Sequence, residues 1–206
     1  MAPSLWLAFV AAAAVVLAIP GPTILLVIGQ SLGTGRRGAV PLAMGVAAGD
    51  LVAMSLSFAG LGALLGASAT AFTVLKVAGA LYLVWLGVKL WLAPVADGEA
   101  PAPRAPWAAS REAFVVTALN PKSIAFFVAF VPQFLDPGRA FATQAAIMVA
   151  TFVVMAAANA AIYAVLAARL AGALRRPGVR RWLNRLGGSV LVGAGLATAA
   201  MRRAGG

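Results

Sequence analysis

The chain has 206 residues, of which 63% are hydrophobic and 10% charged, with a mean hydropathy of +0.97. That leaves too little polar surface for a soluble domain and places the chain among polytopic helical membrane proteins. Cysteine and histidine are absent, which excludes thiol redox chemistry, disulfides and the commonest transition-metal ligands. The net charge of +11 is spread through short loops, not gathered into a nucleic-acid footprint.

A helix needs about 20 apolar residues to cross the hydrocarbon core. On that basis the sequence divides into six expected spans: Ser4–Leu32, Gly38–Leu65, Ala69–Leu92, Ala113–Leu135, Phe141–Ala168 and Trp182–Met201. The first lacks a basic leader region and runs past the length of a cleavable signal, so it is expected to be retained. It is interrupted by Pro20-Gly21-Pro22. The fourth is interrupted by Asn120-Pro121-Lys122. Proline removes a backbone donor and clashes with the preceding turn, so each site frees polar backbone that lipid cannot hydrate. Corresponding breaks in two halves of a chain point to a transporter binding site.

The Pro-rich, acidic stretch around Asp97, Glu99, Pro101 and Pro103 reads as a linker. The expected organisation is one polytopic domain over 1–206, with a three-helix repeat at 1–92, a cytoplasmic linker at 93–110 and a second repeat at 111–206. Basic residues set the orientation. The loops after spans one, three and five carry Arg36, Arg37, Lys89, Arg104, Arg111, Arg169, Arg175, Arg176, Arg180, Arg181 and Arg185. The opposite side carries only Arg139, Arg202 and Arg203. Both termini are therefore expected outside the cytoplasm. Three spans per half is odd, so the halves run in opposite directions, as in many secondary transporters. Gly21–Leu25 over Pro121–Ala125 adds a faint internal likeness, with Thr23 over Ser123 and Ile24 over Ile124. At about 1.5 Å per residue the two breaks lie roughly 20 and 15 Å from the basic flank, near the middle of a core about 30 Å thick.

Within the spans so bounded, Asp50 is the sole carboxylate. Insertion scales charge about 2.5–3.5 kcal/mol for an aspartate at a helix centre, so it is expected to face a polar interior. It suits proton coupling or pairing with a substrate ammonium; a structural ion pair with Lys122 or Lys76 is the alternative. Pro20, Gly21 and Pro22 either kink the first span or open it into a half-helix beginning near Thr23, whose free N–H groups suit a carboxylate. Asn120, Pro121 and Lys122 supply an amide, a freed backbone and a cation. Lys122 would bind a carboxylate, pair with Asp50 or snorkel to the interface. Asn159 would bond into the cavity or tie helices together. Gly45-x-x-x-Gly49 reads as a close-packing seam, Tyr82, Trp85 and Trp91 as filler and interface anchors, and Lys76 as a snorkelling cation.

Taken together, Pro20-Gly21-Pro22, the stretch GAVPLAMGVAAGD from Gly38 to Asp50, Gly79-Ala80-x-Tyr82-Leu83-x-Trp85-Leu86-Gly87, and Asn120-Pro121-Lys122-x-x-x-Phe126-Phe127 followed by Pro132-Gln133-Phe134 resemble the lysine exporter (LysE/RhtB) family of amino-acid efflux proteins. The resemblance implies an inner-membrane exporter of amino acids, driven by the proton gradient. By position it marks Gly21, Pro22, Asp50, Asn120, Pro121 and Lys122 as the site. Thr23 departs from the asparagine of many members. A single buried carboxylate favours a neutral, homoserine- or threonine-like substrate.

The expectation is thus an all-α membrane protein of six transmembrane helices in two inverted repeats, with the first and fourth broken. Its location would be the bacterial inner membrane. Its substrate site would use Pro20, Gly21, Pro22, Thr23, Asp50, Asn120, Pro121, Lys122 and Asn159. Its partners would be an amino acid, a proton taken by Asp50, the lipid bilayer and a second copy in a homodimer, with no cofactor, metal or nucleic acid. Catalysis would need a cluster of acid, base or nucleophile that this sequence does not display. An exporter of another small solute or cation, and a membrane assembly factor, are the competing readings.

Overall fold

The computed structural model describes residues 1–34, 38–67, 69–93, 105–174 and 176–200. Arg36, Arg37, Arg104, Arg175, Arg202, Arg203, the side chains of Lys76, Arg169 and Arg180, and most of the expected linker lie outside the described residues. The described residues are helical almost throughout. In chain order they form α1 (Pro3–Ala18), α2 (Pro22–Thr34), α3 (Ala39–Ala67), α4 (Ala69–Trp91), α5 (Pro106–Ala118), α6 (Pro121–Ala125), α7 (Phe141–Leu174) and α8 (Pro177–Ala200). A π-helical turn, Phe126–Phe130, and a 3-10 turn, Val131–Phe134, continue α6.

Proline writes most of the helix starts. Pro3, Pro22, Pro106, Pro121 and Pro177 each open a helix. There the missing N–H would have had no intrahelical partner anyway, and the fixed φ already matches the helix. Among the described residues three stretches are long and apolar enough to cross a bilayer: Ala39–Ala63, Pro106–Phe134 and Phe141–Ala167. The pair α1 and α2, bent by 56° at the first proline motif, makes a fourth if read as one broken span. In α4 the described residues include the apolar stretch Val77–Trp91. The helix before the second break starts at Pro106, well before Ala113, so Arg111 and Glu112 belong to it. That corrects the expectation that Asp50 is the sole carboxylate in a span. The apolar count had begun only where charges stop, whereas the helix begins at its proline.

The core lies between α1, α3, α5 and α7 and the turns after α6, with Phe9, Leu42, Met54, Phe126, Phe127, Met148 and Phe152 fully buried. Phe127 meets Phe152 edge to face at 4.9 Å, and Phe9 meets Phe134 at 5.9 Å. The turn into α7 is tied by fully buried Gln144, which donates to the carbonyls of Asp136 and Arg139 and accepts from Asp136 N–H.

In lipid there is no hydrophobic drive between helices, so close backbone approach through small residues does the joining. A Cβ at Gly45 would collide with the Ser110 carbonyl of α5. One at Gly49 would sit 2.7 Å from the Phe114 carbonyl oxygen and from Thr117 Cβ. The α4–α8 pair is joined the same way, Gly87 against Gly188 and Gly195 against Ala80. Gly49→Val should therefore force α3 from α5 and cost about 1–3 kcal/mol as overpacking. Gly60→Ala, on the same helix with nothing within 4 Å of its Cβ, should be near neutral. Thermal unfolding of both purified variants checks the contrast.

Candidate functional site

The first break begins where α1 stops. Ile19 turns to extended geometry (φ −78°, ψ 114°), and neither Pro20 nor Pro22 carries an N–H. The last carbonyls of α1 are thereby left without helical partners. Side chains from the second half of the chain take each of them. Lys122 Nζ donates to the carbonyl oxygens of Val16 at 3.0 Å and Ile19 at 2.9 Å. Asn159 Nδ2 donates to Leu17 at 3.1 Å, and the Tyr163 hydroxyl donates to Ala18 at 2.9 Å. Asn159 and Tyr163 lie four apart on α7, hence on one face. A cation at a helix C-terminus also meets the negative end of the helix dipole, worth up to about 2 kcal/mol when partly buried.

The second break is built on Asn120. Leu119 leaves the helical region (φ −99°, ψ 11°) and Asn120 is extended, so the helix restarts at Pro121. Asn120 is buried and uses both ends of its amide. Its Oδ1 accepts from Lys122 N–H at 3.0 Å as the N-cap of α6. Its Nδ2 donates to Thr23 Oγ1 at 3.1 Å, across to the first break. Thr117 donates to the same Thr23 oxygen at 3.3 Å. Two turns along α2, fully buried Gln30 donates to Glu112 Oε2 of α5 at 3.2 Å. The pairs Thr23–Thr117 and Gln30–Glu112 set α2 and α5 antiparallel.

Asp50 sits beside this junction. Its chain neighbour Gly49 is the point where α3 presses on Thr117, the partner of Thr23. Asp50 is 3% exposed, and its Oδ1 has no hydrogen-bond partner among the described residues. Lys122 supplies a positive charge within coulombic range, but its ammonium is committed to Val16 and Ile19 and forms no ion pair with the carboxylate. A buried acceptor left unmatched costs about 1–3 kcal/mol. Such a group is retained at a cost that binding or protonation would relieve.

The structure thus brings together Thr23, Asn120, Lys122 and Asn159, with Asp50 alongside and Gly21 against Lys122, whose Nζ lies 3.5 Å from where a Cβ would stand. Pro20 is half-buried. The rings of Pro22 and Pro121 are exposed and contribute through backbone geometry alone. Sequence reasoning missed Tyr163, Thr117, Gln30 and Glu112. Tyr163 was findable as one of only two tyrosines, one turn beyond Asn159. Among the described residues no group of three or more metal-ligating side chains forms.

The cross-break bond is measurable. A double-mutant cycle with Thr23→Val and Asn120→Leu should give a coupling of about 0.6 kcal/mol in unfolding free energy, and at most about 1.7, as for hydrogen bonds between membrane helices. Additive effects would place the two side chains apart.

The family model of the LysE type translocator matches residues 14–202. A Vibrio cholerae protein named as an uncharacterized membrane protein is 36% identical over 93% of this chain and 94% of its own. The homoserine/homoserine lactone efflux protein of Salmonella typhimurium is 35% identical over 94% of this chain and 96% of its own. The leucine efflux protein of Klebsiella pneumoniae is 34% identical over 66% and 68%. No solved structure gives a significant match. With nearly its whole length matched, the chain belongs to the LysE type translocator family.

Proposed function

We propose that this chain exports a small neutral amino acid or close derivative, homoserine- or threonine-like, across the bacterial cytoplasmic membrane in exchange for protons. The observation that carries the reading is the junction itself. Two interrupted spans are hydrogen-bonded to each other beside a buried carboxyl group with an unmatched oxygen. Broken helices at mid-membrane depth supply donors and acceptors to small polar solutes in secondary transporters. Relatives named for homoserine and leucine efflux support a zwitterionic substrate without a charged side chain.

In this mechanism the N-terminus of α2, from Gly21 to Thr23, receives the substrate carboxylate, since its first N–H groups and the helix dipole favour an anion. Asp50 holds the substrate ammonium in one state and a proton in the other. Asn120 and Thr23 orient the substrate, exchanging their mutual bond for bonds to it. Lys122, Asn159 and Tyr163 hold the end of α1 in place. Alternating access follows from rocking two inverted repeats, residues 1–92 and 111–206 joined by 93–110, as six spans with both termini outside the cytoplasm. The antiparallel α2–α5 contact is what such an inverted pairing requires.

Coupling gives a quantitative test. One net charge moved across 100 mV is worth about 2.3 kcal/mol, enough for a gradient of roughly fiftyfold. In proteoliposomes with an imposed potential and pH gradient, the wild-type chain should build a substrate gradient of that order. Asp50→Asn, inserted and folded, should build none. An equal gradient in the variant would contradict the role given to Asp50.

A further inference from the structure

On the far side of the α4–α8 seam lies a second feature that the transport site does not use. Close glycine packing of Gly87 on Gly188 and of Gly195 on Ala80 brings the two backbones together and leaves a furrow along the outer edge. This groove holds about 500 Å³, lined almost wholly by apolar atoms of Val88, Trp91, Ser189, Val192 and Leu196. On α8, Ser189, Val192 and Leu196 continue a face whose preceding turns carry Arg185 and Arg181, at i−4 and i−8 from Ser189. Arg185 lies 4.9 Å over the ring of Trp91, itself a wall of the groove. Arg181 and Arg185 are exposed, and no carboxylate pairs with either among the described residues.

We infer that this groove binds one anionic phospholipid, its acyl chain along α8 and its phosphate at Arg185 and Arg181. Charge decides the occupant. The groove is apolar along its length and carries two unpaired guanidinium groups at one end, which matches an anionic head on an apolar tail. Basic sites between transmembrane helices take acidic headgroups on this principle. Stacking on Trp91 holds the Arg185 guanidinium in place at the mouth of the groove, and its donor fork suits a phosphate.

The full-length chain, purified and offered equal amounts of phosphatidylglycerol and phosphatidylcholine with the same acyl chains, is examined by native mass spectrometry. Wild type should retain one phospholipid, with the anionic lipid favoured at least about fivefold, as one well-placed basic group provides. The double variant Arg181→Gln/Arg185→Gln should lose that preference while still retaining lipid. Gly193→Leu, at a position that lines the groove with nothing within 4 Å of its Cβ, should lose the retained lipid of both kinds without a fall in thermal stability. Equal retention of the two lipids by wild type, or a preference surviving the arginine changes, would overturn the assignment. So would a Gly193→Leu chain that keeps its lipid but loses a dimer seen in wild type, since the groove would then belong to a second copy.

Discussion

The structure depends on what happens to backbone carbonyls freed inside a membrane. Lipid offers no hydrogen bond, and an unmatched polar group there costs several kcal/mol. When α1 stops at Ala18, the carbonyls of Val16, Leu17, Ala18 and Ile19 all need donors. They find them in Lys122, Asn159 and Tyr163, none of which belongs to the same third of the sequence. The break in one half is thus stable only because the other half is docked against it. Satisfying the backbone and joining the two halves are one act.

The same economy explains why the second break meets the first. Asn120 caps its own short helix with its oxygen and reaches Thr23 with its nitrogen. Glycine seams at Gly45 and Gly49 let α3 lie close to α5, which carries Asp50 to the level of the junction. In the proposed cycle these contacts are the ones a substrate must exchange: a carboxylate for the N-terminus of α2, an ammonium for the unmatched oxygen of Asp50. The aromatic packing of Phe126 and Phe127 on Phe152 follows at once, in a π-helical turn, a geometry that often marks functional positions.

Much of this was legible in the chain. Proline marked both interruptions and most helix starts, because its effect on φ and on donor count is local. Asp50 stood out because charge within an apolar run is costly. What could not be read was partnership. Lys122 resembled a snorkelling or carboxylate-pairing cation, and its use as a cap for α1 depends on a packing between residues more than 100 positions apart. Tyr163 offered only its rarity and its place one turn beyond Asn159; its partner, the end of α1, came from the packing. Glu112 was excluded by an apolar count that began one residue later, although the helix starts at Pro106 and the Glu112 carboxylate accepts from Gln30. In the proposed six-span arrangement, α8 is a span by context, since Arg181 and Arg185 lie in its N-terminal half.

The central claim is that the two breaks form one site. The chain has no cysteine, so a pair introduced as Thr23→Cys and Thr117→Cys stands alone. Their native hydroxyls are 3.3 Å apart. In native membranes under mild oxidation, the account predicts a rapid intramolecular disulfide and arrested amino-acid export, with export restored by reduction. Failure of the pair to cross-link, or unchanged export by the cross-linked chain, would contradict it.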